Sequence, residues 1–342
     1  MRLLIIPIFV MYRGCPNRCV FCNERIAAGD YSDRVTADTV RAICDRHLGS
    51  GGRRFDQIAF YGGNFTGMDR DYQRELLGAA KEYVDAGMAD SIRISTRPDY
   101  IDEERIYLLA GYPVSTVEIG AQSMVDEVLS AAGRGHTSDD VRSALRLLRS
   151  AGFKTGAHLM AGLPGDTREG FEYTVEEIIA LRPDTVRIHP TIVFRDTPLA
   201  EACREGTYIP LTLDQAVDLC KHALLRFQEE GIPVIRLGLH TTPEMVVGDS
   251  VVAGPFHPAF RSLVESAIFL DMATKLLESR DGKGGNVVFS VSPRDVSNLR
   301  GMKNRNMRIL KESFGLAEIR VRENARQKRG SLTIDAVQGD LQ

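Results

Sequence analysis

Short apolar segments alternate with longer helical stretches through most of the chain. The predicted strands are residues 3–11, 57–61, 91–95, 115–119, 154–160 and 185–189. The predicted helices are residues 36–48, 71–86, 102–110, 137–150, 167–180 and 212–230. Six or seven βα units in series predict an α/β fold, a parallel sheet that is closed or partly closed as a barrel.

Loops rich in glycine and polar residues follow the predicted strands. In parallel α/β folds, binding and catalytic groups lie at the carboxyl ends of the strands, so we expect these loops to meet on one face. The loops are Gly62-Gly63-Asn64, Ser95-Thr96-Arg97-Pro98, Gly120-Ala121-Gln122-Ser123, Gly162-Leu163-Pro164-Gly165 and His189-Pro190-Thr191.

Three of the six cysteines, Cys15, Cys19 and Cys22, fall within eight residues directly after the first predicted strand. Their C-x3-C-x2-C spacing lets one loop wrap three thiolates around a soft metal centre, and in a [4Fe-4S] cluster three thiolates leave one iron open. Structural zinc is the alternative, but no local His or second C-x-x-C supplies its fourth ligand. A disulfide framework does not suit a chain of this length with scattered remaining cysteines.

The composition is ordinary except for one strongly basic segment near the carboxyl end of the sequence. Hydrophobic residues make up 43% and charged residues 26% of the 342 residues, as in ordinary globular proteins, and the net charge is −3. Residues 294–329, however, carry eleven basic and four acidic side chains, a local net charge of +7. Such a basic segment is compatible with RNA contact or with a solvated surface.

The amino-terminal apolar run imitates a short signal peptide. It is only about nine residues long and contains Pro7, whereas a membrane-spanning helix needs about 20 residues. We therefore expect a buried first strand, no membrane association and a cytoplasmic location, where a reducing environment keeps thiols free.

A domain boundary is expected after the last long βα helix. Gly231-Ile232-Pro233 ends the helical pattern, which predicts a barrel domain at residues 1–235 and an extension at residues 236–342. In the extension, a strand at 287–291, helices at 293–299 and 305–314 and a strand at 317–321 flank the turn 301–304. This order resembles half of a KH-type RNA-binding module, although Asn304 replaces the second glycine of its G-x-x-G loop.

Several strings, taken in order, resemble the radical S-adenosylmethionine (SAM) superfamily over about residues 5–225. Within it, they look like the branch of the Elongator catalytic subunit, a tRNA wobble-uridine modifying enzyme, and more distantly like oxygen-independent coproporphyrinogen oxidase. The strings are the cysteine motif, Gly62-Gly63, Ser95-Thr96-Arg97-Pro98-Asp99-Tyr100, Glu118-Ile119-Gly120-Ala121-Gln122-Ser123, Arg134-Gly135-His136-Thr137 and His158-Leu159-Met160-Ala161-Gly162-Leu163-Pro164-Gly165.

This resemblance implies two cofactors, a [4Fe-4S] cluster on Cys15, Cys19 and Cys22 and SAM bound to its open iron. It also implies an electron donor such as ferredoxin or flavodoxin, and reductive cleavage of SAM to a 5′-deoxyadenosyl radical. The implied SAM-contacting residues are Phe21, Gly62, Gly63, Asn64, Ser95, Gln122, Arg134 and His158.

Most of these residues have an implied role, and several also have an ordinary alternative. Phe21 packs near the adenine or in the core, and Gly62-Gly63 approach the SAM amino group or simply end a strand. Gln122 and Arg134 contact the ribose and the carboxylate, although Arg134 alone reads as a solvated loop residue. His158 lies near the ribose or is a buried structural histidine.

The chain departs from the Elongator pattern in three places. Its first two cysteines are closer together, and Ser95 stands where relatives place a glutamate thought to contact SAM. The acetyltransferase domain is also missing, so neither acetyl transfer nor the substrate carries over.

The sequence thus predicts a radical SAM enzyme that acts on RNA, most simply tRNA, through residues 294–329. The alternatives are a radical SAM oxidoreductase that acts on a small molecule, a non-catalytic cluster-bearing RNA-binding protein, and a zinc-stabilised binding module. No residue is assigned to the chemistry on the substrate itself.

Overall fold

A computed structural model describes residues 4–16, 18–28, 34–49, 54–280 and 284–335. The chain forms two compact units, Met1–Pro258 and Ala259–Gln342. The boundary predicted from the sequence lies after residue 235, whereas the units divide after Pro258.

A parallel sheet forms the centre of the first unit. Its strands are β1 (Ile5–Phe9), β2 (Phe55–Tyr61), β3 (Ala89–Thr96), β4 (Val114–Gln122), β5 (Lys154–Ala161) and β6 (Thr185–Pro190), and β7 (Val193–Phe194), β8 (Val234–Leu237) and β9 (Val251–Ala253) follow. The order is β1-β2-β3-β4-β5-β6-β8, while β7 and β9 pair separately and antiparallel. Within the described residues β1 and β8 do not pair with each other, so the sheet is an open, partial barrel, as predicted.

Helices connect the strands and cover the outside of the sheet. They are α1 (Glu24–Ala28), α2 (Ala37–Leu48), α3 (Arg70–Asp85), α4 (Glu103–Ala110), α5 (Asp126–Ala131), α6 (Ser138–Ser150), α7 (Arg168–Leu181), α8 (Pro198–Glu205), α9 (Leu213–Glu229) and α10 (Pro243–Val247), with 3-10 turns at Phe65–Gly67 and Pro98–Tyr100. The predicted helices are confirmed, and side chains such as Thr36, Thr137 and Thr212 cap their first turns. The short α1, α5, α8 and α10 were not predicted; α1, α5 and α10 have only five or six residues, too few to show a clear period.

The two faces of the sheet differ in chemistry because successive side chains of a strand point to opposite sides. One set of alternating positions is apolar and fully or almost fully buried: Ile6, Ile8, Ile58, Phe60, Ile92, Ile94, Val117, Ile119, Ala157, Leu159, Val186 and Ile188. The other set, on the concave side, carries Gln57, Arg93, Glu118, His158 and Arg187. The concave side of the barrel is therefore polar and charged.

The second unit is a small α/β structure. Its elements are α11 (Phe260–Glu278), β10 (Gly285–Val291), α12 (Val296–Arg300), a 3-10 turn at Met302–Asn304, α13 (Arg305–Phe314), β11 (Leu316–Glu323) and β12 (Leu332–Asp335). The sheet order is β11-β10-β12, with β10 and β11 parallel and β12 antiparallel to β10. The predicted strand–helix–turn–helix–strand order is confirmed, and β12 is an addition.

Among the described helices, not one combines the length and the apolar composition that a bilayer crossing requires.

Candidate functional site

The cysteine loop joins β1 to α1 and packs tightly against the turn after β2. Gly63 has φ +58°, and a Cβ there would lie 2.5 Å from the Arg13 carbonyl oxygen. Gly14 has φ +75°, and its Cβ would lie 2.1 Å from the Asn64 carbonyl oxygen. Glycine is required at both positions because two backbones meet there with no room for a side chain.

Two polar side chains hold these segments together. The Asn64 amide nitrogen donates to the Gly14 carbonyl (2.8 Å), and its oxygen accepts from the Thr96 hydroxyl (2.5 Å). The Glu24 carboxylate accepts from the backbone N–H groups of Gly63 (2.6 Å) and Tyr12. The Asn64 side chain therefore braces the loop, and Glu24 is a further bracing residue that the sequence analysis missed.

The three cysteines of the loop lie close enough to influence one another electrostatically. Burial raises the pKa of Cys15 to about 11, with a smaller contribution from Glu24, while Arg97 and Arg134 act in the opposite direction. Burial also raises the pKa of Cys22. As free thiols Cys15 and Cys22 therefore stay protonated near neutral pH, and their deprotonation requires a cationic partner such as iron.

Arg134 is a buried residue of the site and not a solvated loop arginine. Its side chain comes from the segment between α5 and α6, and Nη1 donates to the Cys19 sulfur (3.2 Å) while Nη2 donates to the Gly120 carbonyl (2.7 Å). The residue is 7% exposed. Positive charge beside a cysteine favours the thiolate form that binds metal.

Three buried polar atoms near this loop have no partner among the described residues. They are Nη1 of Arg97, Nε of Arg134 and Oε1 of Gln122. Gln122 also has φ +68°, a strained conformation for a residue other than glycine. Buried polar groups are normally hydrogen-bonded, so these atoms fit a site built for a further polar molecule.

The three thiols of the loop match the donor set of a [4Fe-4S] cluster with one open iron. In such a cluster each thiolate binds a different iron, so the three sulfurs need not converge on one point. A structural zinc ion instead needs four ligands gathered about one point, at about 2.0–2.3 Å. Among the described residues, no group of three or more His, Cys, Asp or Glu side chains is gathered in that way.

The remaining predicted site residues lie at different places. Gly62, next to Gly63, has φ +76° and is partly exposed. Ser95 donates to the Glu118 carboxylate (3.3 Å) on the neighbouring strand. Phe21 packs partly against Val128, Ala132, Met160 and Leu163, as its core alternative expected.

His158 belongs to a pair that the sequence analysis did not recognise. Its Nε2 lies 2.8 Å from Nδ1 of His189 on the next strand, and Nε2 of His189 is buried without a partner among the described residues. Burial, and then Arg187 and Arg134, lower the pKa of His158 to about 3, and burial lowers that of His189 well below its usual value. Both imidazoles are therefore neutral at physiological pH.

A charged network on the concave side was also missed. Glu118 accepts from Arg93 (2.7 Å) and Arg187 (2.8 Å), and Arg187 donates to the Tyr61 hydroxyl (2.6 Å). The sequence does contain a sign of it, because β3, β4 and β6 each carry a charged residue among buried positions. A charged side chain in a buried strand needs a partner of opposite charge.

Family models and known proteins show what the chain is similar to. The model described as "Radical SAM superfamily" matches residues 9–178, and the "Radical_SAM C-terminal domain" matches residues 183–269. The tRNA uridine(34) acetyltransferase of Methanocaldococcus jannaschii is 27% identical over an alignment of 260 residues that covers 64% of this chain and 48% of that protein. Elongator complex protein 3 of Danio rerio is 31% identical over an alignment of 198 residues that covers 51% of this chain and 36% of that protein.

The chain spans about a third to a half of the length of these relatives. Among solved structures, archaeal Elp3 of Methanocaldococcus infernus with an N-terminal deletion has a TM-score of 0.61 at 24% identity. That alignment covers 80% of this chain and 64% of the archaeal chain. The likeness concerns the fold.

Proposed function

The chain belongs to the radical SAM superfamily, and from that membership we propose that it cleaves SAM reductively at a [4Fe-4S] cluster held by Cys15, Cys19 and Cys22. The observation that carries the proposal is the contact between Arg134 and the Cys19 sulfur, with unpartnered nitrogens of Arg97 and Arg134 beside it. These groups suit the negative charge of thiolates and of the SAM carboxylate.

The cluster and SAM, when bound, supply a 5′-deoxyadenosyl radical that removes a hydrogen atom from a substrate, after an electron has come from a donor such as ferredoxin or flavodoxin. The protein's own contribution is binding and orientation. The free Nε–H of Arg134 and the free Oε1 of Gln122 are suited to the carboxylate and the ribose hydroxyls of SAM. The glycine pair lets the β2 backbone approach the SAM amino group.

His158 and Ser95 complete the proposed SAM side of the barrel. A neutral His158 can hydrogen-bond a ribose hydroxyl without bringing a second charge. The Ser95 hydroxyl already donates to Glu118, so among the proposed SAM-contacting residues Ser95 has the weakest support.

The proposed substrate is RNA, most simply tRNA. The support comes from the relatives, whose names include tRNA uridine(34) acetyltransferase, and from the second unit, where the eleven basic side chains of residues 294–329 are all exposed. Exposed cations of this density suit phosphate contacts. Free thiols in the loop further support a reducing, cytoplasmic location.

The proposal is tested by anaerobic reconstitution with iron and sulfide, followed by dithionite and SAM. We expect 5′-deoxyadenosine, detected by mass spectrometry, from the wild type and none from Cys19→Ala, because two thiolates hold the cluster poorly. Cys203→Ala is the matched control, since Cys203 is a partly buried free cysteine outside the loop. No 5′-deoxyadenosine despite an intact cluster would favour the non-catalytic RNA-binding alternative; zinc uptake without iron would reject the cluster.

A further inference from the structure

The barrel interior contains more positive than negative charge. One carboxylate oxygen of Glu118 accepts from Nη1 of Arg93 (2.7 Å) and from Nε of Arg187 (2.8 Å). The Arg93 and Glu118 side chains are only 3% and 5% exposed, and that of Arg187 is 16% exposed. Two guanidinium groups thus share one carboxylate, which leaves one positive charge without a partner inside this network.

Among the described residues, Glu118 is the carboxylate that pairs with Arg187. The His158–His189 pair is neutral, and Arg236 adds positive charge, since it lowers the pKa of His189. Tyr61 stays protonated because burial, and then the Glu118 carboxylate, raise its pKa. Because the Arg187 side chain is partly exposed, the excess positive charge of the network can attract an anion from outside the chain.

Arg187 and Tyr61 have hydrogen-bond donors left for such an anion. Arg187 uses Nε for Glu118 and Nη2 for Tyr61, and among the described residues its Nη1 donates to no acceptor. The Tyr61 oxygen accepts from Arg187 (2.6 Å), which leaves its own O–H available. One guanidinium nitrogen and one phenol can therefore bind two oxygens of the same anion.

Their location places the anion on the functional side of the barrel. Tyr61 is the last residue of β2 and immediately precedes Gly62-Gly63. Tyr61 and Arg187 are both partly exposed, so a ligand can reach them, whereas Arg93 lies deeper. The Arg93–Glu118 pair acts as a support that fixes the Arg187 guanidinium.

We propose that Arg187 and Tyr61 form a binding site for a phosphate group of the substrate inside the barrel. The choice of phosphate over another anion rests on the proposed function, in which the substrate is a nucleotide of RNA. Nη1 of Arg187 and the Tyr61 hydroxyl together offer two donors to the oxygens of a tetrahedral phosphate, and guanidinium groups are common phosphate ligands.

The site is tested by calorimetric titration of the reconstituted protein with uridine 5′-monophosphate and with uridine, without reductant so that SAM is not consumed. We expect the wild type to bind the monophosphate at least about tenfold more tightly than the nucleoside. Arg187→Met should remove this preference, Tyr61→Phe should reduce it, and Arg187→Lys should keep part of it. The matched control is Arg74→Met, which removes an exposed charge on α3.

Arg187→Met should still fold, because Glu118 then pairs with Arg93 alone, and urea denaturation checks this. Equal affinity of the wild type for both ligands, or a preference that survives in a folded Arg187→Met protein, would overturn the site. If malonate displaces uridine 5′-monophosphate and inorganic phosphate does not, the site binds a carboxylate, and the assignment to phosphate is rejected. Because no turnover is involved, this result is independent of whether the wild type forms 5′-deoxyadenosine.

Discussion

At the scale of single residues, the most informative side chains are buried polar groups whose hydrogen-bonding capacity is only partly used. Arg134 and Arg97 each keep one unpartnered buried nitrogen next to the cysteine loop, and Gln122 keeps its carbonyl oxygen. A folded protein pays for such atoms unless a ligand satisfies them. In this respect they differ from Asn64, whose amide nitrogen and oxygen both have hydrogen-bond partners within the protein.

Asp166, in the loop between β5 and α7, gives a pH-dependent prediction. Burial raises its pKa from the ordinary 3.8 to about 6, so the folded state disfavours the carboxylate. The resulting loss of stability is absent below about pH 4 and complete above about pH 6. We expect Asp166→Asn to have nearly the same free energy of unfolding as the wild type at pH 4, and to be about 1–2 kcal/mol more stable at pH 7.5.

Urea denaturation at both pH values measures this difference. The control substitution is Asp214→Asn, in the first turn of α9. Asp140→Asn is not used, because Asp140 belongs to the cap of α6. A stability gain for Asp166→Asn that is the same at both pH values would contradict the role of its charge.

At the scale of elements, the site depends on two loops that hold each other in place. The cysteine loop and the turn after β2 meet backbone to backbone at Gly14 and Gly63, and Glu24 in the first turn of α1 accepts from Gly63. The short helix α1 therefore contributes to the site, since it carries the carboxylate that joins both segments. Its brevity is also the reason that periodicity did not reveal it.

Gly63→Ala tests this interlock. A methyl group would lie 2.5 Å from the Arg13 carbonyl oxygen and 2.8 Å from that of Val10, at a residue with φ +58°. We expect a loss of about 1–3 kcal/mol in the free energy of unfolding and a lower iron content after reconstitution.

The control is Gly78→Ala within α3, where an added Cβ meets nothing within 4 Å. There alanine should stabilise the protein by up to about 1 kcal/mol, because it is the better helix former. Normal iron incorporation by a folded Gly63→Ala protein would show that the interlock does not position the cysteine loop.

At the scale of the whole molecule, the cysteine loop and the strongly basic segment belong to different units. The first unit carries the cysteines and the charged barrel interior, and the second carries the exposed basic side chains of residues 294–329. In the second unit, the turn between α12 and α13 has Lys303 and Asn304 in the left-handed conformation and Gly301 at φ +69°. This turn occupies the place of the phosphate-binding loop in the KH-like arrangement that the sequence suggested.

Charge reversal at this turn tests RNA binding. Lys303→Glu, Arg305→Glu and Arg308→Glu together should weaken binding of bulk tRNA at least about tenfold and reduce its salt dependence, because phosphate contacts are lost. Filter binding across a series of salt concentrations measures both quantities, and SAM cleavage should remain.

The matched control reverses three exposed charges on α3: Arg70→Glu, Arg74→Glu and Lys81→Glu. An equal loss of affinity in both triple variants would indicate a general charge effect, and unchanged binding in the first would reject the basic turn as an RNA contact.

Local patterns were sufficient to predict β1 to β6, the longer helices between them and the partial barrel, and to single out the cysteine motif, because each depends on neighbours in sequence. Tertiary structure alone decided which distant groups became partners. Arg134 reaches Cys19 across 115 residues, Arg187 reaches Tyr61 across 126, and Glu24 reaches Gly63 across 39. Strand periodicity indicates the face on which a side chain lies, but its partner depends on the register of neighbouring strands and on loop packing.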